Sequence, residues 1–257
     1  MIHSTAIVSP KAKLGDNVRV GPFCIIGDDV EIGDDCVLHS HVVIEGITRI
    51  GKNNEFFPFA MIGGKTQDLK YNGEPTYLEI GDSNVFRENT TVHRGTFERL
   101  PTRIGSHNHF LCYAHVAHDC QVGNHVILSN NGTLAGHVIV GDHAIVSGLT
   151  AIHQFCRVGA HSIIGGCSRV TQDIAPFTMA VGNPAETRGL NLIGLQRRGF
   201  TEDDIRQLKT AYKKILFKKD GNLTQAIAAF RENASTANPH VESLIAFIES
   251  SERGVTR

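Results

Sequence analysis

The sequence predicts an all-β parallel helix of hexapeptide repeats followed by a smaller helical region, on three observations. Counting in sixes from Ile2, the 29 register positions up to Val170 hold Ile, Val, Leu or Phe at 26. A hydrophobic content of 41% would put only roughly 12 there by chance, so a period of six is the organising signal. Gly often follows the apolar residue, as at Gly15, Gly33, Gly105, Gly123 and Gly141. The pattern then stops after Val170, where Pro176 and Pro184 mark the exit and helix signals begin.

Each hexapeptide supplies a short strand with its aliphatic side chain inward and a tight corner where Gly relaxes the backbone. Three such sides make one coil of 18 residues, and coils stacked roughly 4.8 Å apart bury one continuous aliphatic column. The register fails at Asp68, Glu74 and Glu98. Chain that cannot feed the core must leave it, so two loops are expected, near 64–79 and 97–101. The repeat is expected over 1–183 and a helical domain over 184–257. In that domain Thr201-Glu-Asp-Asp reads as an N-cap with an acidic first turn, leading into an apolar run through Ala211, Ile215 and Leu216 that Gly221 ends. Further helices are expected at Leu223 to Ala234 and at Pro239 to Glu252, with Pro239 in the first turn.

Composition narrows the function classes. A net charge of −1 over 257 residues gives no bulk attraction for nucleic acid or an anionic membrane. The apolar stretches are shorter than a bilayer span, and the repeat starts at Ile2 without a basic and apolar leader, so a cytoplasmic protein without stable membrane insertion is expected. Cys24, Cys36, Cys112, Cys120, Cys156 and Cys167 lack C-x-x-C spacing and read as small buried side chains. There is no Walker or Rossmann glycine motif, and neither a cofactor nor a metal is expected.

Residues 18 apart sit one above another, which sorts the 14 histidines. His107, His125, His143 and His161 form a ladder at the polar corner after the glycine and read as solvated turn residues rather than ligands. His115, His118, His137 and His153 form a second group. Adding 18 to His118 gives Gly136, and adding 18 to Asp119 gives His137. An imidazole would then lie one coil below a backbone lacking Cβ, and a carboxylate one coil below another imidazole. Base, orienting acid and accessible N–H are the minimum for acyl transfer to a hydroxyl. No Ser or Cys nucleophile is adjacent in sequence, which favours direct attack by the acceptor over an acyl-enzyme. From spacing alone two other readings stay open: polar corner filling, and a metal site in which His115 and His118 pair with His137 or His153 of a neighbour.

The segments Gln67-Asp-Leu-Lys-Tyr71, Val92-His-Arg-Gly95, Ala114-His-Val-Ala-His-Asp-Cys120, Leu134-Ala-Gly-His137, Ile152-His-Gln-Phe155, Gly165-Gly-Cys167, Gly182-Asn183 and Gly194-Leu-Gln-Arg-Arg-Gly-Phe200 together resemble the UDP-N-acetylglucosamine O-acyltransferases of lipid A biosynthesis over essentially the whole chain. The resemblance implies a left-handed β-helix, a homotrimer with sites between adjacent chains, and acyl carrier protein and UDP-N-acetylglucosamine as partners. It implies that His118 is the general base oriented by Asp119, and that Gly136 donates its N–H to the oxyanion. Asp68, Lys70, His115, His137, His153 and Gln154 would position sugar, phosphate and thioester, and Asn191, Arg197 and Arg198 would surround the diphosphate and the carrier arm. His118 and the His137 or His153 of one site would come from different chains. Arg197, Arg198, Lys209, Lys213, Lys214, Lys218 and Lys219 would form a basic strip facing the acidic carrier protein. The related N-acyltransferase of the same pathway usually adds an N-terminal domain, which a repeat beginning at Ile2 argues against.

Two positions depart from the family pattern. Gly148 and Gly166, 18 apart, would leave a shallow groove for the acyl chain, and Arg169 stands where relatives often have glycine, so it is expected to shorten that groove. Ile193 stands where many members place a Glu near the nucleoside. The acceptor, 3-hydroxy or 3-amino sugar, is left open by the sequence.

Overall fold

The computed structural model describes residues 1–98, 100–217, 222–232 and 238–257. Among them, short strands build three parallel sheets that form the faces of a triangular prism. The first face has nine strands from Ile7–Val8 to Arg169–Val170, the second eight from Lys13–Leu14 to Arg157–Val158, and the third ten from Arg19–Val20 to Glu186–Leu190. Neighbouring strands pair in parallel 18 residues apart, as His115 with Thr133 and Val122 with Val140. Insertions lengthen the step, so Thr91 pairs with His115 across the second loop.

The aliphatic register points inward as expected, with Phe56, Phe86 and Phe110 stacked at 4.9 and 4.8 Å in mid-column. A second inward register stands two residues before it, at Cys24, Val30, Cys36, Val42, Asn54, Ala60, Cys120 and Cys156, all fully buried. Small side chains are required there because the prism narrows at its corners. This explains four of the cysteines. Cys112 is only half-buried and Cys167 is exposed, so the expectation of six buried thiols fails for those two.

The corner glycines have a different task from the one expected. The left-handed backbone sits elsewhere in each corner, on residues such as His125, His137, His143 and Phe155 with φ of 55 to 64°. Gly33 has no such φ. A Cβ on it would lie 2.7 Å from the Gly51 carbonyl oxygen of the next coil, so what glycine permits there is close stacking. The positive-φ corner residues cost of the order of 1–2 kcal/mol each in isolation, which ring stacking along the edges and the repeated backbone ladder offset.

At the top, Thr178–Val181 continues the third face, and Glu186–Leu190 turns back antiparallel to it, closing the open sheet edge. The hairpin spans the 183/184 boundary. Among the described residues four helices follow: α1 (Leu192–Arg197), α2 (Glu202–Ala211, extended by a wider turn over Tyr212–Leu216), α3 (Leu223–Glu232) and α4 (Pro239–Glu249). Thr201 caps α2 in a reciprocal capping box with Asp204, and Asn238 caps α4 just before Pro239. Gly221, Ala234, Lys218 and Lys219 lie outside the described residues. A second core of Leu195, Leu208, Ile215, Leu244 and Ile245 binds these helices to Phe177 at the end of the prism.

The C-terminal tail is latched by Asp173. This buried carboxylate accepts the Arg157 N–H at 2.7 Å and the Ser251 hydroxyl at 2.8 Å, while the Asp173 backbone bridges Val255. Asp173→Ala strands the Arg157 N–H, and a loss of about 1–3 kcal/mol is expected. A denaturant midpoint unchanged from wild type would contradict this.

Candidate functional site

Both loops leave the prism at the edge between the first and second faces. Residues 65–76 join Met61–Gly64 to Tyr77–Ile80, and residues 94–101 join Thr91–His93 to Thr102–Ile104. The next three corners on that edge carry His118 and Asp119, Gly136 and His137, then His153 and Gln154. The loops thus lie immediately below the histidines and fold against them. Thr66 and Thr96 share a hydroxyl hydrogen bond of 2.9 Å that joins the loops, and the Thr96 N–H donates to Asp119 Oδ1 at 2.9 Å. The Asp119 N–H in turn donates to Thr102 Oγ1 at 2.8 Å.

His118 Nδ1 lies 2.7 Å from Asp119 Oδ2. An ionised carboxylate only accepts, so in the neutral ring Nδ1 carries the proton and Nε2 the lone pair. Burial pushes the Asp119 carboxyl up, but the bonds from His118 and Thr96, with the nearby His137, outweigh it and hold the group below the usual carboxylate range. His137 Nε2 is 3.5 Å from the same Oδ2, and its ring stands edge-on to His118 at 5.3 Å and stacks on Phe155 at 4.5 Å. Burial lowers the His137 pKa despite the pull of Asp119.

Gly136 occupies the place that spacing assigns it. A Cβ there would lie 2.5 Å from His118 Nε2, inside van der Waals contact. Its N–H gives no hydrogen bond among the described residues. The His118 ring thus stands against the Gly136 backbone, and base with oxyanion donor is the pair of roles that these two neighbours fit. Cys120, one residue past Asp119, is no competing nucleophile: it is fully buried, and burial pushes its thiol up to about 12.

Asp68 and Lys70 lie on the first loop. The Asp68 carboxylate approaches both His118 and His137, and the Lys70 charge acts on His137. His115 holds Thr91 Oγ1 through Nδ1 at 2.7 Å, and burial, then His118, lowers its pKa. His93 is a member that the spacing argument missed. It is buried, lies edge-on to His115 at 4.9 Å, and has an unpartnered Nδ1. Burial pushes it down to about 4. The 18-residue arithmetic fails for it because the second loop stretches the step to 24 residues; Val92-His-Arg-Gly95 was the available signal. His153 and Gln154 are exposed above the cluster, with His153 Nδ1 3.4 Å from Arg253 Nη2. A cleft of about 730 Å³ runs from His137 and Phe155 to Arg157, Asp173 and Arg253.

The remaining candidates lie on other edges. Asn191 caps α1 by accepting the Gly194 N–H at 3.2 Å and donates to the His161 carbonyl at 2.9 Å. Arg198 donates to the His143 carbonyl at 3.1 Å, while Arg197 is exposed; these three stand by the edge between the second and third faces. Gly148 and Gly166 lie on the third edge, where an added Cβ would meet only a carbonyl oxygen of the preceding coil at 3.2 Å. Arg169 is exposed on the first face and donates to Asn183 Oδ1 at 2.9 Å, and Ile193 is 65% exposed.

Two expectations need correction. His118 and His137 meet within one chain, because coils stack directly, so His137 need not come from a neighbour. The histidine ladder stacks at 4.6 to 4.9 Å, but only His107 and His125 are exposed. His161 lies beneath Phe200 at 5.0 Å with Nδ1 unpartnered, and burial pushes it down to about 4. The helical domain covers the top of the ladder.

Residues 173–256 match the family described as Udp N-acetylglucosamine O-acyltransferase, Domain 2, and residues 11–46 match the bacterial transferase hexapeptide repeat. The chain is 52% identical to an acyl-(acyl-carrier-protein)–UDP-N-acetylglucosamine O-acyltransferase of Akkermansia muciniphila, covering 98% of each. It is 50% identical to the protein of the same name from Thermodesulfovibrio yellowstonii, covering 100% of this chain and 99% of that one. The crystal structure of LpxA, a UDP-N-acetylglucosamine acyltransferase from Bacteroides fragilis, superposes with a TM-score of 0.96 at 40% identity over 100% of both chains. With this likeness over its full length, in a left-handed parallel β-helix that stacks His118 against Gly136, the chain belongs to the UDP-N-acetylglucosamine O-acyltransferase family.

Proposed function

We propose that the protein transfers a 3-hydroxyacyl group from acyl carrier protein to the glucosamine 3-hydroxyl of UDP-N-acetylglucosamine, the first step of lipid A biosynthesis, in the cytoplasm. The observation that carries the mechanism is His118 Nε2, the nitrogen that keeps the lone pair in the neutral ring because Nδ1 lies 2.7 Å from Asp119 Oδ2, against the backbone of Gly136, whose N–H gives no hydrogen bond among the described residues. His118 takes the proton of the 3-hydroxyl as that oxygen attacks the thioester carbonyl. The Gly136 N–H stabilises the oxyanion, and the intermediate collapses with loss of the carrier thiol, which recovers a proton from His118. Asp68, Lys70, His115, His137, His153 and Gln154 position the reactants around this opening.

Catalytic histidines, Arg197 with Arg198, and the Gly148–Gly166 pair lie on three different edges of one prism. Side-by-side packing of three chains would bring one chain's catalytic edge to another's glycines and arginines, which supports a homotrimer with sites between chains. The basic strip through Arg197, Lys209, Lys213 and Lys214 would then receive the acidic carrier protein. In that arrangement Arg169, anchored to Asn183, blocks the far end of the acyl groove. Arg169→Gly is expected to shift preference to longer donors, measured by competition in a mixed acyl pool; an unchanged profile contradicts it.

The reaction is tested by mass spectrometry of products from UDP-N-acetylglucosamine, its 3-amino analogue and a mixed pool of 3-hydroxyacyl carrier proteins, with wild type and His118→Ala. Acylated nucleotide sugar from wild type alone supports the reading, and no product with either acceptor overturns it. Gly136→Ala keeps the N–H but drives a methyl against His118. A shift of about 1 Å can cost ~10²-fold, so kcat should fall by that order with little change in KM, and an unaffected kcat would separate Gly136 from the base.

A further inference from the structure

The same opening gathers one donor atom each from Asp68, His118 and His137, all within 4.8 Å of one another. Two imidazoles and a carboxylate form a ligand set suited to zinc, which takes nitrogen at ~2.0–2.1 Å and carboxylate oxygen at ~2.0–2.2 Å and so needs donors roughly 3.4 Å apart. Reaching that spacing calls for the donors to draw together, and Asp68 stands on the loop of residues 65–76 whereas both histidines stand at corners of the prism. Asp119 completes the arrangement: its Oδ2 accepts His118 Nδ1–H at 2.7 Å, the outer-shell contact that orients a metal-bound imidazole and leaves Nε2 for the ion. His137 has Phe155 stacked behind it at 4.5 Å, which fixes its ring plane.

We infer that Asp68, His118 and His137 form an inhibitory zinc site, in which the ion takes the lone pair of His118 Nε2 and so removes the general base. The inhibition, though not the binding, rests on the reaction proposed above. The stacked ladder of His107, His125 and His143 is the competing location. Its rings are parallel, at 4.9 and 4.6 Å, which aligns their donor atoms in a column rather than converging them on a point.

The test is Zn²⁺ titration of the full chain against a chromophoric chelator at neutral pH, with Mg²⁺ as a control for nonspecific divalent binding. One Zn²⁺ per chain is expected in wild type and in His125→Gln. Affinity should be at least about tenfold weaker in His137→Ala and Asp68→Asn, the order seen when a metal site loses a supporting group. Circular dichroism of each variant separates a lost ligand from a lost fold. Absence of zinc binding by wild type, or equal affinity in folded His137→Ala and Asp68→Asn, overturns the site. In the acyl-transfer assay, Zn²⁺ but not Mg²⁺ should inhibit wild type, and a chelator should restore it. Stoichiometric binding with unaltered or raised activity overturns the inhibition and leaves the site standing. No basal activity would count against the proposed reaction, while the binding titration still decides the site.

Discussion

Replacing His118 with alanine is expected to lower kcat by about 10²–10⁴-fold, the usual worth of a positioned general base, with little loss of stability. The side chain is 13% exposed and stands outside the aliphatic column, so its removal opens a crevice at a corner and no cavity in the core. The measurement is a single-turnover rate beside a thermal melt. Activity within a few-fold of wild type would remove His118 from the base role and leave His137 as the candidate.

Asp119→Asn should cost a similar ~10²–10⁴-fold in kcat, because a residue that sets the tautomer of a catalytic histidine controls which nitrogen holds the lone pair. The amide oxygen can still accept the Thr96 N–H, so the loop anchor survives. Its NH₂ then donates toward Nδ1, which places the imidazole proton on Nε2 and disables the base. Imidazole ¹⁵N chemical shifts report the tautomer directly. A proton retained on Nδ1, or a wild-type kcat, would contradict the assignment; a uniform loss of stability with the tautomer unchanged would make Asp119 a loop anchor only.

The same Asp119 shows how far sequence reasoning reached. The stacking of Asp119 beneath His137 and of His118 beneath Gly136 could be read from an offset of 18, because a β-helix turns sequence distance into vertical neighbourhood. The Thr96 N–H and the Asp68 carboxylate could not, because both belong to loops whose insertions break the period. His93 was lost for the same reason. Resemblance alone places Asn191 at the nucleotide, whereas the structure engages its amide as a helix cap and as a donor to the His161 carbonyl. The small inward register of Cys24, Cys36, Asn54 and Cys120 was equally hidden, since its members share size and not hydrophobicity.

By itself the sequence determined the prism, its 18-residue coil, the two projecting loops, the capped helices and the pairing of His118 with Gly136. Each follows from periodicity or a local capping rule, which are short-range properties of the chain. Only the tertiary structure decided that both loops emerge at the edge carrying His118, that Asp119 is fully buried and anchored by Thr96 and Thr102, and that Asp68 converges on His118 and His137. Those facts depend on which of three equivalent edges a segment occupies and on how an aperiodic loop packs, and a period of six repeats identically at all three.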